Sequence, residues 1–439
     1  MTISLDETHD ARCGSWVPGA EAVGNDFPVQ NLPLGVFRRR GTPPGEPSRI
    51  GMAIGNLILD LKGSAALSAF GPIDDAIHSA LAAPVLNDLM SLGPGAARRV
   101  RQAAHALLRT DSKLPRPPEQ CLVPMGQAEL QLPAAIGNYT DFYASVHHAT
   151  NVGRMLRPDQ PLMPNYKWVP IGYHGRASSI VPSGTPIRRP HGQTRDEQLP
   201  APTMGPSRHL DYELEVAAWV GEGNHLGTPV PIAQAGVHLF GLSLLNDWSA
   251  RDIQRWEYQP LGPFLAKNFA TTVAPWVVTV EALAPFRVPA FVRPEGDPAP
   301  LPYLLDLADQ AAGGFDIMLE VWLQSARMRA AGEGPVRLSR GSFATMYWTV
   351  AQMMAHHTSN GCDLRPGDLL GSGTVSGPLK ENRGCLLELS WRGTEPVALP
   401  GGEARRFLED GDEVIIRGAC EREGFARIGF GECRGMVVA

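Results

Sequence analysis

From Asn25 the chain runs in short stretches of alternating apolar and polar residues, cut by Gly and Pro. "NDFPVQNLPLGVF" and "RIGMAIGNLILDLKG" have this form and predict a small β-domain. Ile50 to Leu61 reads as a hairpin with Gly55-Asn56 at its turn. Residues 73–110 switch to a helical period (AIHSALAAPVLNDLM, AARRVRQAAHALL). "KLPRPPEQ" at 113–120 holds three prolines in eight residues and reads as a linker, so the domain boundary is set near residue 130. Beyond it short strands and turns dominate. One helix is expected in "TDFYASVHHATNVGRM", with Thr140 as its N-cap and Asp141 in its first turn. A longer one is expected over 343–360, opened by Ser342 and stopped by Asn360-Gly361. "RPGDLLGSGTVSGP" and "LEDGDEVIIRGAC" read as strand-turn units. Residues 1–24 show no such pattern and read as a flexible tail. The expectation is a mainly β chain with some α: a tail (1–24), a small domain (25–130) and a larger one (131–439).

Composition narrows the class. At 439 residues, 43% hydrophobic and 19% charged, the chain has material for a large core. A formal net charge of −6 gives no reason to expect a nucleic-acid or anionic-membrane partner. No apolar run is long enough to span a bilayer, and the acidic start "MTISLDETHDARCGSW" is no signal peptide. The six cysteines are scattered without a CxxC pair, which reads as reduced thiols in a cytoplasmic protein.

The candidate chemistry is carboxylate chemistry. "LDYELEVAAWV" (210–220) alternates Asp211, Glu213 and Glu215 with apolar residues, so in a strand the acids share one face. Cα atoms two apart in a strand are separated by roughly 6.6 Å, close enough for two carboxylates to lean on one hard divalent cation. A strand with one solvated face gives the same alternation. "FGLSLLNDWSARD" ends an apolar run on Asp247, a costly place for an unpaired acid. If the chain turns helical there, Arg251, Gln254 and Tyr258 follow on one face; an Asp N-cap explains the residue equally well. On a helix, Asp141, Ser145 and His148 would also share a face, with His148 about 10 Å along the axis from Asp141. Lys267 stands alone in a Gly/Pro-rich apolar run, either snorkelling outward or held by anions. Glu388 is the only acid in "GCLLELSWRG", read as an apolar strand, where it could orient a histidine. "GSGTVSG" lacks phosphate-loop spacing and reads as a turn.

Taken together, "LPLGVF", "IGNYTDFYASVHHATNVG", "PIGYHGRASSIVPSGTPIRRP", "LDYELE", "LNDWSARDIQRWEYQPLGPFLAKNF", "NGCDLRPGDLLGSGTVSGP" and "LELSW" resemble the fumarylacetoacetate hydrolase family from about Asn25 to the C-terminus. The resemblance implies a small N-terminal SH3-like barrel and a larger C-terminal mixed β-roll that forms a homodimer and holds the site. It implies Mg²⁺ or Ca²⁺ held by Asp141, Glu213, Glu215 and Asp247, with Lys267 and Thr271 in the ion's neighbourhood. An ammonium cannot ligate a cation, so a direct contact from Lys267 would use its carbonyl. His148 would be the base and Glu388 its orienter, while Lys267, Arg251 and Gln254 would hold the oxyanion. Substrate contacts would fall to Tyr143, Arg157, Tyr173, Arg251, Gln254, Tyr258 and Thr374. The implied reaction is C–C hydrolysis of 4-fumarylacetoacetate to fumarate and acetoacetate, the last step of tyrosine and phenylalanine catabolism. Four carboxylates against one divalent ion leave −2, which Lys267 and Arg251 could balance.

Two rival expectations stay open. A relative acting on acylpyruvates or decarboxylating oxaloacetate would share the acids but usually lack the N-terminal domain. A non-catalytic metal-binding scaffold would have no need of His148, Glu388 and Lys267 together. Two departures stand out within the matching motifs: His147 precedes His148 and could substitute for it, and Asn138 stands where an aspartate is common in the family. The tail and the stretch around 290–340 match poorly, and no function is read for either.

Overall fold

The computed structural model describes residues 4–43, 45–66, 73–196 and 198–439. Five antiparallel strands build the N-terminal part: Leu34–Arg39, Arg49–Ile54, Leu57–Asp60, Leu122–Pro124 and Ala128–Gln131. Each lends a buried side chain (Phe37, Ala53, Ile58, Val123, Ala128) to a small core shared with Phe27 and Trp276. The expected hairpin forms between the second and third, with Gly55 at φ 55 in its two-residue turn. The helical stretch resolves into Asp75–Ala82, Asn87–Ser91 and Pro94–Leu108.

Part of the segment expected to be a loose tail packs against the fold: Thr8, His9, Val17 and Ala20 are buried, while Leu5 and Val23 stay exposed. A buried arginine explains much of this, since a guanidinium out of water needs acceptors. Arg101 finds them in the carbonyls of Gln30 and Asn31, each at 2.5 Å, and in the Thr8 hydroxyl at 3.2 Å. Trp16 Nε1 donates to the Leu107 carbonyl at 2.9 Å, and His9 Nε2 lies 2.8 Å from the Glu281 carbonyl. The tail therefore ties the N-terminal helices to the rest of the chain.

Strand Leu34–Arg39 also pairs with Trp276–Thr279, through Leu34↔Val277 and Gly35↔Trp276. Gly35 permits this approach, because a Cβ there would lie 2.6 Å from the Trp276 ring. The result is one 13-stranded sheet. From Trp276–Thr279 its order continues through Leu239–Asp247, Leu214–Val220, Leu369–Gly371, Tyr139–Phe142 and Gly172–His174. A second sheet of five strands comprises Val336–Ser342, Met318–Gln324, Glu413–Cys420, Ile428–Val438 and Ile187–Arg188. The main core, with Leu244, Leu319, Ile416 and Phe430, draws on both sheets. Leu214–Val220 and Leu239–Asp247 are buried along their whole length. The 290–340 stretch supplies Met318–Gln324, whose Leu319, Val321 and Leu323 point into that core.

Three helix and strand expectations need correction. Tyr139–Phe142 is a strand, paired parallel to Leu369–Gly371, and the helix starts only at Val146, capped by the Ser145 hydroxyl. Tyr, Thr and Phe favour that buried pleat, and Thr140 caps nothing. The helix expected over 343–360 is a single 3-10 turn, Phe343–Thr345, followed by Val350–Thr358 with a Thr349/Gln352 capping box. Glu388 sits on a helical turn, Leu386–Leu389, rather than a strand.

Candidate active site

Four strands bring the acids together. Asp141 lies near the end of Tyr139–Phe142, Glu215 near the start of Leu214–Val220, Glu213 just before it, and Asp247 at the end of Leu239–Asp247. The fourth strand, Leu369–Gly371, contributes space instead of charge: a Cβ on Gly371 would fall 2.6 Å from Asp141 Oδ1 and 3.1 Å from Glu215 Oε2. Asp141, Glu213, Glu215 and Asp247 each offer an oxygen within 4.8 Å of the others, and all four are buried. The Gly373 N–H donates to Asp141 Oδ1 at 3.2 Å and Glu215 Oε2 at 3.0 Å, so the glycine turn cradles carboxylates.

Nearby cations only partly compensate this charge. Lys267 Nζ donates to Glu213 and, at 2.7 Å, to Asp247 Oδ2. Thr271 Oγ1 donates to Asp247 Oδ1 at 2.9 Å, and Tyr173 OH to Asp247 Oδ2 at 2.9 Å. Arg251 Nη2 approaches Glu213 Oε1 at 2.8 Å as an ion pair, while its Nη1 donates to Gln254 Oε1 at 3.1 Å. But Arg251 is shared with Asp211, 2.9 Å from its Nε, an acid the charge count had left out. Burial raises the Glu215 carboxyl well above the carboxylate range, and the charges of Asp141, Asp247 and Glu213 add to this. Asp141 is pushed up to about 8 by burial and then by Asp247. Burial acts upward on Glu213 as well, yet the Lys267 and Arg251 charges win and hold it far below its usual value. Glu215 Oε1 is buried with no hydrogen-bond partner among the described residues. A buried, unpartnered oxygen in an all-oxygen donor set fits a hard divalent cation.

The second group faces this cluster from helix Val146–Leu156. His148 Nδ1 lies 2.6 Å from Glu388 Oε2, and both residues are buried. Asn151 donates to Glu388 Oε1 at 2.8 Å, and Ser376 Oγ to Oε2 at 2.7 Å. Burial would raise the Glu388 carboxyl, but His148 and these donors hold it at about 2, so it stays ionised. With Nδ1 committed to Glu388, Nε2 is the nitrogen left to take up a proton. The Tyr143 ring meets the imidazole edge-on, centroids 5.3 Å apart. His147 turns the other way, to the Phe291 ring.

Two family models match the chain: "Fumarylacetoacetase N-terminal" over residues 30–133 and "Fumarylacetoacetate (FAA) hydrolase C-terminal" over 138–438. The fumarylacetoacetase of Bos taurus is 51% identical over 432 residues, covering 97% of this chain and 98% of its own length. That of Homo sapiens is 50% identical over 433 residues, with the same coverage. The chain belongs to the fumarylacetoacetate hydrolase family. It is accordingly a hydrolytic enzyme of that family. Among solved structures, a fumarylacetoacetate hydrolase from Exiguobacterium antarcticum matches at TM-score 0.49 and 18% identity, covering 93% of this chain and 99% of that one.

Not every expected family residue reaches the cluster by a described contact. Arg157 ends its helix as the C-cap, with its N–H on the Gly153 carbonyl, and Tyr258 caps the helix Arg251–Glu257. Thr374 is buried, and its hydroxyl has no hydrogen-bond partner among the described residues. The sequence reading overlooked Asn151, Ser376 and Gly373. Asn151 lies three residues after His148, one turn along the same helix face, and that spacing could have flagged it. Gly373 had no local signal, because its partners Asp141 and Glu215 are far away in the chain, and Ser376 stands outside the helical turn of Glu388 with no periodic relation to it. Asn138 donates its amide to Asp368, an acid that an aspartate at 138 would repel.

Proposed function

We propose that the chain hydrolyses the C–C bond of 4-fumarylacetoacetate, giving fumarate and acetoacetate as the closing step of tyrosine catabolism. One observation carries this reading: a His148–Glu388 pair stands beside an under-compensated carboxylate cluster, in a chain half identical to fumarylacetoacetases over nearly its whole length. Asp141, Glu213, Glu215 and Asp247 would hold Mg²⁺ or Ca²⁺, with Lys267 and Thr271 contacting Asp247 from outside. When bound, such an ion acts as a Lewis acid toward a 1,3-diketone and stabilises the enolate that leaves.

The chain's own residues do the rest. His148 Nε2 takes a proton from water, and ionised Glu388 stabilises the imidazolium through Nδ1. The hydroxide adds to the carbonyl next to the fumaryl double bond. Arg251, Gln254 and Lys267 would stabilise the oxyanion that forms, and removing one such donor typically costs about 3 kcal/mol of barrier. The bond from that carbonyl carbon to the methylene then breaks. Its electron pair goes to the acetoacetate enolate, which the imidazolium reprotonates, and the new fumarate carboxyl loses its proton to solvent. Tyr143, Arg157, Tyr173, Tyr258 and Thr374 would bind the substrate. A cavity of about 180 Å³ beside the cluster, lined by Tyr173, Asp247, Lys267 and Thr271, opens to one side of it. The enzyme would act in the cytoplasm as a homodimer; among the described residues no helix is long and apolar enough to cross a membrane.

The test is to follow loss of the substrate's ultraviolet absorbance with Mg²⁺ or Ca²⁺ present, after EDTA, and after restoring the ion. Ion-dependent loss with equimolar fumarate and acetoacetate is expected. No turnover by ion-loaded protein sinks the reading.

A further inference from the structure

Asp211 is the acid of the LDYELE run that stands outside the cation cluster, although it is fully buried. Four donors converge on it. Oδ1 accepts from its neighbour's Tyr212 N–H at 2.9 Å and from the Leu386 N–H at 2.8 Å. Oδ2 accepts from the Leu387 N–H at 3.0 Å and from Arg251 Nε at 2.9 Å. Leu386 and Leu387 open the helical turn whose next residue is Glu388. Arg251 is the guanidinium that reaches Glu213 and Gln254. The pairing Leu210↔Ala250 and Asp211↔Ser249 fixes Asp211 in register beside Arg251.

One carboxylate is thus bonded both to the turn that aims Glu388 at His148 and to the cation that faces the cluster. We propose that Asp211 is a positioning residue that sets the separation of these two arms, the proton-accepting pair and the Arg251–Gln254 arm. It touches neither the ion nor the reacting atoms. The four donors come from three separate segments. An isosteric amide would keep the shape but replace one accepting oxygen with a donor, so an N–H or the guanidinium loses its partner. Displacement of a catalytic group by about 1 Å is enough to cost roughly 10²-fold in rate.

The kinetic part rests on the function proposed above; a spectroscopic readout does not. In the full-length, ion-loaded protein, Asp211→Asn should lower kcat by roughly 30- to 100-fold while KM stays within about threefold. Mg²⁺ affinity, read by calorimetry, should hold within about threefold, because Asp211 is not among the four clustered acids. The downfield proton resonance of the His148–Glu388 hydrogen bond, assigned by its loss in His148→Ala, should shift or broaden. Leu387→Pro deletes one of the four donors, the N–H at the second position of its helical turn, and should lower kcat about tenfold. It serves even where Asp211→Asn does not fold. The proposal is overturned by kcat per folded site within twofold of the parent in either variant, or by an unmoved resonance in Asp211→Asn. If the parent does not turn over fumarylacetoacetate but the resonance moves in Asp211→Asn, the proposed reaction fails and the positioning role stands.

Discussion

Glu215 and Glu388 are the same residue type at the same depth, both with no exposed surface, and they lie in opposite electrostatic states. Glu388 has His148, Asn151 and Ser376 on its two oxygens and is held at about 2 against the upward pull of burial. Glu215 has the Gly373 N–H on one oxygen and no hydrogen-bond partner among the described residues on the other, and burial with three neighbouring acids drives it upward. Burial alone therefore says nothing about charge state; the supply of donors decides it. A fully satisfied carboxylate has no lone pair left to offer an ion, and under the proposed mechanism it would orient a base. An under-satisfied one awaits a cation.

The largest effect should come from breaking the unsatisfied side. Glu215→Gln removes a charge that an ion would neutralise. Ion affinity and kcat/KM should both fall by about 10³-fold, a loss of several kcal/mol in ion stabilisation. The ion-free protein should meanwhile melt higher than the parent, because a repelling acid is gone. Calorimetric titration and melting in EDTA check the two halves, and a lower melting point of the ion-free variant would contradict the repulsion.

Breaking the satisfied side should behave differently. His148→Ala should cut kcat by about 10²- to 10⁴-fold with ion affinity preserved. It should also destabilise the fold by about 3 kcal/mol, since it strands a buried Glu388 charge. His147 should not rescue it, because its ring packs on Phe291. Activity within tenfold of the parent would show that His147 reaches the substrate after all.

The smallest effect sharpens the contrast through pH. Glu388 has a folded value below its unfolded one, so its stabilisation is complete above about 4.5 and is lost as pH falls toward about 2. Asp141 has a folded value near 8, above its unfolded 3.8. Its contribution is complete below about 3.8 and is lost as pH rises to about 8. In EDTA, stability should therefore fall from both ends. Saturating Mg²⁺ should flatten the upper slope and raise stability by about 2.7 kcal/mol at a hundredfold excess over Kd. Denaturant titrations across pH, with and without the ion, read both slopes. An upper slope that Mg²⁺ leaves untouched would separate Asp141 from the ion.

Much of the site was legible in the chain because burial writes itself locally. Asp247 at the end of FGLSLLN and the alternating acids of LDYELE each marked a polar group in an apolar setting, and the structure buries all of them. Asp141 was picked out for the wrong local reason: a shared helix face with His148 was expected, yet it stands on a strand and His148 on the helix that follows. Its right neighbours come from the parallel pairing to Leu369–Gly371, more than two hundred residues away. Glu388 was legible as an odd charge, but its helical turn was not, because Asp211 satisfies the first N–H groups of that turn from a distant strand.

By itself, the sequence determined which segments alternate, where Gly and Pro cut them, and which acids could not face water. Those properties depend on each residue and its near neighbours. Only the tertiary structure decided that Arg251 is divided between Asp211 and Glu213, that Glu388 is satisfied while Glu215 is not, and that the N-terminal segment packs under Arg101. Charge state and partnership are set by distances across the fold, and two residues far apart in a chain carry no mark of the distance that will separate them.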